Sequence, residues 1–159
     1  MQKDRIAWVH KPLDPCDRRT YEAAVIRHVA GYYNHAARIC WLNGREVVLE
    51  AKGSVNGVIE PVLLEDWLAA RQGQEIHYQQ ARVTLTEEEI QYWIGKKYDY
   101  AAALWHLAYF NATGIWIGRV ALAEEKVICF ELVFWTEGIR DWYRHLPVCA
   151  IEQRELAPA

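Results

Sequence analysis

The chain has 159 residues, enough for one domain with a sizeable core that needs no metal or disulfide support. Its 18 basic and 21 acidic residues leave a formal net charge of −3 and no dense Lys/Arg run, so there is no electrostatic footprint for nucleic acid. Four scattered cysteines, Cys16, Cys40, Cys129 and Cys149, form no C-x-x-C, which argues against a zinc site and against the disulfide framework of a small secreted domain.

In chain order, residues 1–19 read as an irregular, peripheral segment punctuated by Pro12 and Pro15. Met1 to Arg5 leads into no apolar run of the kind a signal peptide needs, so a cytoplasmic setting is the default, with delivery to the cell envelope left open. Thr20 caps an expected helix to about Val29, ended by Gly31. Ala36–Leu42 and Arg45–Ala51, joined by Asn43-Gly44, form the strongest local signal, a β-hairpin whose two central positions both need positive φ. A short strand near Val58–Glu60 stops at Pro61, a helix follows over Leu63–Arg71, and Glu75–Leu85 is extended. Thr86 with Glu89 fits a capping box that opens a helix ending near Gly95.

Tyr100 to Gly118 carries no formally charged residue and has the length of a membrane span, yet His106, Asn111, Thr113 and Gly114 interrupt it. We read a buried helix over Tyr100–Phe110, then a short apolar strand or loop, and leave membrane-surface contact open. Val120–Ala123 is a further candidate strand. A last helix starts at Cys129, with Leu132, Val133, Trp135, Ile139 and Trp142 on its apolar face and Glu131, Glu137 and Arg140 on the others. Residues 150–159 read as peripheral. The order of elements predicts one α+β domain, a central and mainly antiparallel sheet packed by helices.

The hairpin fixes a register. With Asn43-Gly44 as a two-residue turn, Leu42 faces Arg45, Ala37 faces Glu50 and His35 faces Lys52. His35 and Glu50 then project from one side as diagonal neighbours, while a one-residue slip would send them to opposite faces. Cys40 falls on the other face as an ordinary packed thiol. An imidazole acting as a base needs a third group to orient it, and Glu50 stands where that group belongs. Cys129 opens a helix, where unpaired N–H groups favour a negative sulfur. There is no P-loop, H-E-x-x-H or dinucleotide fingerprint, and neither a cofactor nor a metal is expected.

Four blocks, Tyr33-Asn34-His35-Ala36, Val47-Val48-Leu49-Glu50-Ala51, Gly95-Lys96-Lys97-Tyr98-Asp99 and Ile128-Cys129-Phe130-Glu131-Leu132-Val133, stand in that order between about residues 20 and 140. Together they resemble the circularly permuted NlpC-type papain-like cysteine hydrolases, in which the cysteine helix follows the histidine strand. The resemblance implies a papain-like fold and a thiol amidase or peptidase with Cys129 as nucleophile, His35 as base and Glu50 as orienting acid. It also implies that Tyr98 helps hold a developing oxyanion. Relatives commonly have Ser after the cysteine; this chain has Phe130. The implied substrate is a peptide or acyl compound, with cell-wall peptide (a peptidoglycan fragment) first. A thiol acyltransferase or lipid-ester hydrolase, and an inert binding module on the same scaffold, are the alternatives.

Overall fold

The computed structural model describes residues 3–12, 33–51, 57–99, 109, 112–113 and 126–139. Five strands make an antiparallel sheet: β1 (Arg5–His10), β2 (His35–Leu42), β3 (Arg45–Leu49), β4 (Val62–Leu63) and β5 (Glu75–Gln80), in spatial order β4-β3-β2-β1-β5. Among the described residues, three helices with defined bounds accompany it: α1 (Leu64–Ala69), α2 (Glu87–Trp93) and α3 (Cys129–Thr136). A second, two-stranded sheet pairs β6 (Lys97–Tyr98) in parallel with β7 (Lys126–Val127). The architecture is α+β with a mainly antiparallel sheet. Among the described residues no helix is long and apolar enough to cross a membrane.

The β2–β3 hairpin has the expected register, with Leu42 opposite Arg45 and Arg38 opposite Leu49. Asn43 and Gly44 both take positive φ, 51° and 74°, as a turn of this type requires. The sheet is covered on both sides. Ala7, Val9, Ala37, Ile39 and Val48 pack with Trp67 of α1 on one side. On the other, Ile6, Trp8 and Ala36 meet Cys129, Phe130, Val133 and Phe134 of α3. Cys40, Val47 and Leu49 pack there with Ile59, Ile90 and Leu132.

That double cover corrects the reading of the N-terminus as peripheral. β1 lies between β2 and β5, and Ile6, Ala7, Trp8 and Val9 are all buried. A strand buried on both faces shows no polar–apolar alternation, so a four-residue apolar run between charged residues carried too little signal to be recognised. Residues 13–19 of that segment, the Thr20–Val29 helix, the Val120–Ala123 strand, Cys16, Cys149 and residues 150–159 lie outside the described residues. So does most of Tyr100–Gly118, although Ala112 and Thr113 are helical, past the expected end at Phe110.

Thr86 and Glu89 satisfy each other's end groups, the Glu89 N–H donating to the Thr86 hydroxyl at 3.2 Å and the Thr86 N–H to the Glu89 carboxylate at 2.8 Å. α3 begins at Cys129 as expected but ends earlier, and two of its acids are buried. Its stop is at Thr136, because Gly138 takes φ 75° and the Ile139 and Gly138 N–H groups close back on Phe134 and Trp135 at 2.9 and 3.0 Å. Glu131 and Glu137, assigned to polar faces, are buried; Glu131 accepts the Ile128 N–H at 2.7 Å and Glu137 accepts the Arg82 N–H at 2.9 Å. Burying Leu132, Val133 and Phe134 contributes about 1.5–3 kcal/mol each, which holds α3 and its first residue against the sheet.

Candidate active site

Each element delivers one group. β2 begins at His35, β3 ends one residue before Glu50, and α3 begins at Cys129. α3 lies on the Ala36 side of the sheet, while Glu50 contacts Trp67 on the Ala37 side. His35, at the very start of its strand, is where the two sides meet. Its Nε2 lies 2.8 Å from Glu50 Oε2, and the Cys129 side chain is close enough to act on the charge of its ring. His35 and Glu50 are thus in contact, and Cys129 acts on the charge of the same imidazole.

Burial alone would lower the pKa of His35. The negative charge and hydrogen bond of Cys129, and then those of Glu50, outweigh it and lift the imidazole from 6.5 to about 9. Glu50 is buried more deeply still, and burial alone would raise it. The His35 hydrogen bond and charge, the Arg71 guanidinium and the Trp67 indole instead hold it well below the usual carboxylate range.

Trp67 and Arg71 went unnoticed in the sequence. The Trp67 indole N–H donates to Glu50 Oε2 at 2.9 Å, and the Arg71 guanidinium donates to the same oxygen. Arg71 also stacks on the Trp67 ring, 3.9 Å from its centroid, and donates to the Trp67 carbonyl at 3.2 Å. The signal was present in part. Trp67 and Arg71 are four residues apart at the end of a predicted helix, the spacing that brings two side chains together. Nothing local, however, aims the pair at the end of β3.

Tyr98 arrives by backbone pairing. It lies opposite Val127, two residues before Cys129, and the Asp99 N–H donates to the Val127 carbonyl at 3.1 Å. Its ring packs against the cluster that contains Val127 and Leu132. Phe130 turns into the core, 3 % exposed and 6.3 Å from the Trp8 ring centre to centre. Cys40, on the other hand, is a packed thiol whose burial, reinforced by the Asp4 carboxylate against the pull of Arg38, pushes it up to about 12. Among the described residues no group of three or more His, Cys, Asp or Glu is placed to hold a metal ion.

No protein-family model matches the chain, and no curated protein is similar to it at a significant level. A solved structure, that of the metalloprotein yiiX from Escherichia coli O157:H7, resembles it at 22 % identity over 74 % of this chain and 69 % of that one, with a TM-score of 0.38. A likeness of that size carries no argument about fold or chemistry.

Proposed function

We propose that the chain is a cysteine hydrolase of the permuted NlpC-type papain-like kind, cleaving an amide or peptide bond through a thioester. The observation that carries the reading is a single imidazole held between a carboxylate and a thiol at the start of a helix. Sulfur attacks the substrate carbonyl carbon, a C–S bond forms, and the tetrahedral oxyanion collapses with loss of the C–N bond. The proton on His35 goes to the departing amine. Water then adds to the thioester while His35 takes its proton, the acid leaves, and the thiol is restored.

The helix supplies what the oxyanion needs. The first intrahelical bond of α3 runs from the Leu132 N–H to the Ile128 carbonyl at 3.1 Å, so the Cys129 N–H lies ahead of the ladder. An N–H fixed there stabilises a developing negative oxygen without reorganisation. The tyrosine at 98, carried alongside by β6, is the side-chain candidate for the same task. Phe130 does not obstruct this reading, since its ring is spent on the core.

Cell-wall peptide is the first substrate class to try. Parent protein should release amines from muropeptides, and Cys129→Ala should abolish the release while keeping the folded signal. Undiminished hydrolysis by Cys129→Ala would end the proposal. Cleavage of lipid esters in vesicles without amine release would replace the peptidase with an esterase or acyltransferase.

A further inference from the structure

The carboxylate behind His35 has more partners than orienting an imidazole requires. Oε2 of Glu50 faces three N–H groups at once, from His35, Trp67 and Arg71. An indole N–H only donates, and a guanidinium only donates and stays charged. A proton placed on that oxygen would point at donors and find no acceptor. We propose that Arg71, stacked on Trp67, is a positioning residue that keeps Glu50 an anion in both protonation states of His35, so that the moving proton travels only between Cys129 and His35. This rests on the reading of Cys129, His35 and Glu50 as the reactive group.

The reason lies in what a lone His–Glu pair does out of water. Glu50 is 5 % exposed. In such surroundings an imidazolium and a carboxylate are disfavoured relative to a neutral imidazole and a carboxylic acid, because two buried charges lose their hydration. If the Nε2 proton crossed to Glu50, His35 would lose the positive charge that supports an anionic sulfur. Arg71 prevents the crossing. Its charge stays beside the carboxylate throughout, and its stack on Trp67 and bond to the Trp67 carbonyl hold both donors in one rigid unit. Among the described residues, the charged and titratable groups facing Glu50 are His35 from β2 and Arg71 from the turn after α1; those facing His35 are Glu50 and Cys129.

The test needs no substrate. Iodoacetamide modification of Cys129 is followed by mass spectrometry from pH 4 to 9 in the parent, His35→Ala, Arg71→Gln, Arg71→Lys and Trp67→Phe, each checked for cooperative unfolding. The parent should react rapidly into the acid range and His35→Ala should not. Arg71→Gln should lose about tenfold or more of the rate at pH 5–6, equivalent to one unit of displacement along the pH axis. Arg71→Lys should recover most of that loss, because the charge returns although the stack does not. A purely structural role would lower the unfolding temperature of both Arg71 variants without separating their pH profiles. Trp67→Phe keeps an aromatic surface but removes one donor; it should shift the profile in the same direction by less, and it serves if Arg71→Gln does not fold. Coincident profiles for folded Arg71→Gln and parent overturn the inference while leaving the thiol–imidazole pair standing. Coincident profiles for parent and His35→Ala instead bring down that pair, and the inference with it.

Discussion

Two buried cysteines pack against the same side of one sheet, and their surroundings are opposite. Cys40, in the middle of β2, faces Asp4 and Arg38. Arg38 is fully buried; it donates to Asp4 at 3.2 Å, to Glu137 and to the Val83 carbonyl, while Asp4 also accepts the Leu85 N–H at 2.9 Å. This assembly ties the strand side of the sheet to the end of α3 and holds two carboxylates against one guanidinium. Cys129, at the start of α3, faces His35, behind which one carboxylate is matched by one guanidinium. Both regions bury an arginine with acids. Only the second places a proton-exchanging group between the acid and the sulfur, and that difference separates a structural anchor from the proposed reactive site.

The largest effect expected from the contrast is selective modification. In the native protein Cys129 should be alkylated at mildly acidic to neutral pH, while Cys40 stays unmodified until the chain unfolds, since a thiol pushed up to about 12 carries almost no anion there. Peptide mapping after a timed pulse reads both sites in one sample. Equal labelling of the two in folded protein would erase the distinction between them.

Next in size is the cost of dismantling the anchor. Arg38→Ala leaves Asp4 and Glu137 buried without their shared cation, a change that typically costs about 3–5 kcal/mol. Urea unfolding checks it. The Cys129 alkylation profile of whatever remains folded should keep its shape, because Arg38 touches neither His35 nor Glu50. Among the described residues Asp4 Oδ1 and Arg38 Nε have no hydrogen-bond partner, so the network is not fully satisfied even when intact. An apolar triple replacement of Asp4, Arg38 and Glu137 would therefore cost far less than Arg38→Ala alone.

What the sequence disclosed follows the range of the interaction involved. The Asn43-Gly44 turn dictates its own backbone, and from it the register places His35 and Glu50 on one side with no knowledge of the rest of the fold. Thr86 and Glu89 are three residues apart and were equally readable. Glu137 looks like a solvent-facing acid because the partners that bury it, Arg38 and the Arg82 N–H, come from 99 and 55 residues away. Gly138 marked the end of α3, but the apolar residues beyond it, Ile139 and Trp142, continued the helical spacing and masked the stop. The Trp67–Arg71 clamp lies between these cases. The pair is local, and its target, 17 and 21 residues upstream, is not.

The smallest expected effect is the most discriminating, because it reads His35 through stability instead of reactivity. A group whose pKa is higher in the folded state stabilises that state while protonated. The His35 contribution is therefore complete below 6.5 and is lost as pH rises through about 9. The whole window amounts to at most on the order of 3 kcal/mol, a ceiling because the side chain keeps 19 % exposure. Cys129 supplies part of the lift and Glu50 the rest, so in Cys129→Ala the loss should come at lower pH and be smaller. Cys40→Ala, which removes a thiol that contributes nothing to His35, should leave the slope unchanged below about pH 8.5, above which the raised Cys40 thiol adds a loss of its own. Unfolding free energies measured every half unit from pH 6 to 8.5 compare the three chains, and contributions from titrating groups common to all three cancel in the differences. Parallel curves for the parent and Cys129→Ala would mean that the sulfur does not share the charge of His35, and the two cysteines would then differ in location alone.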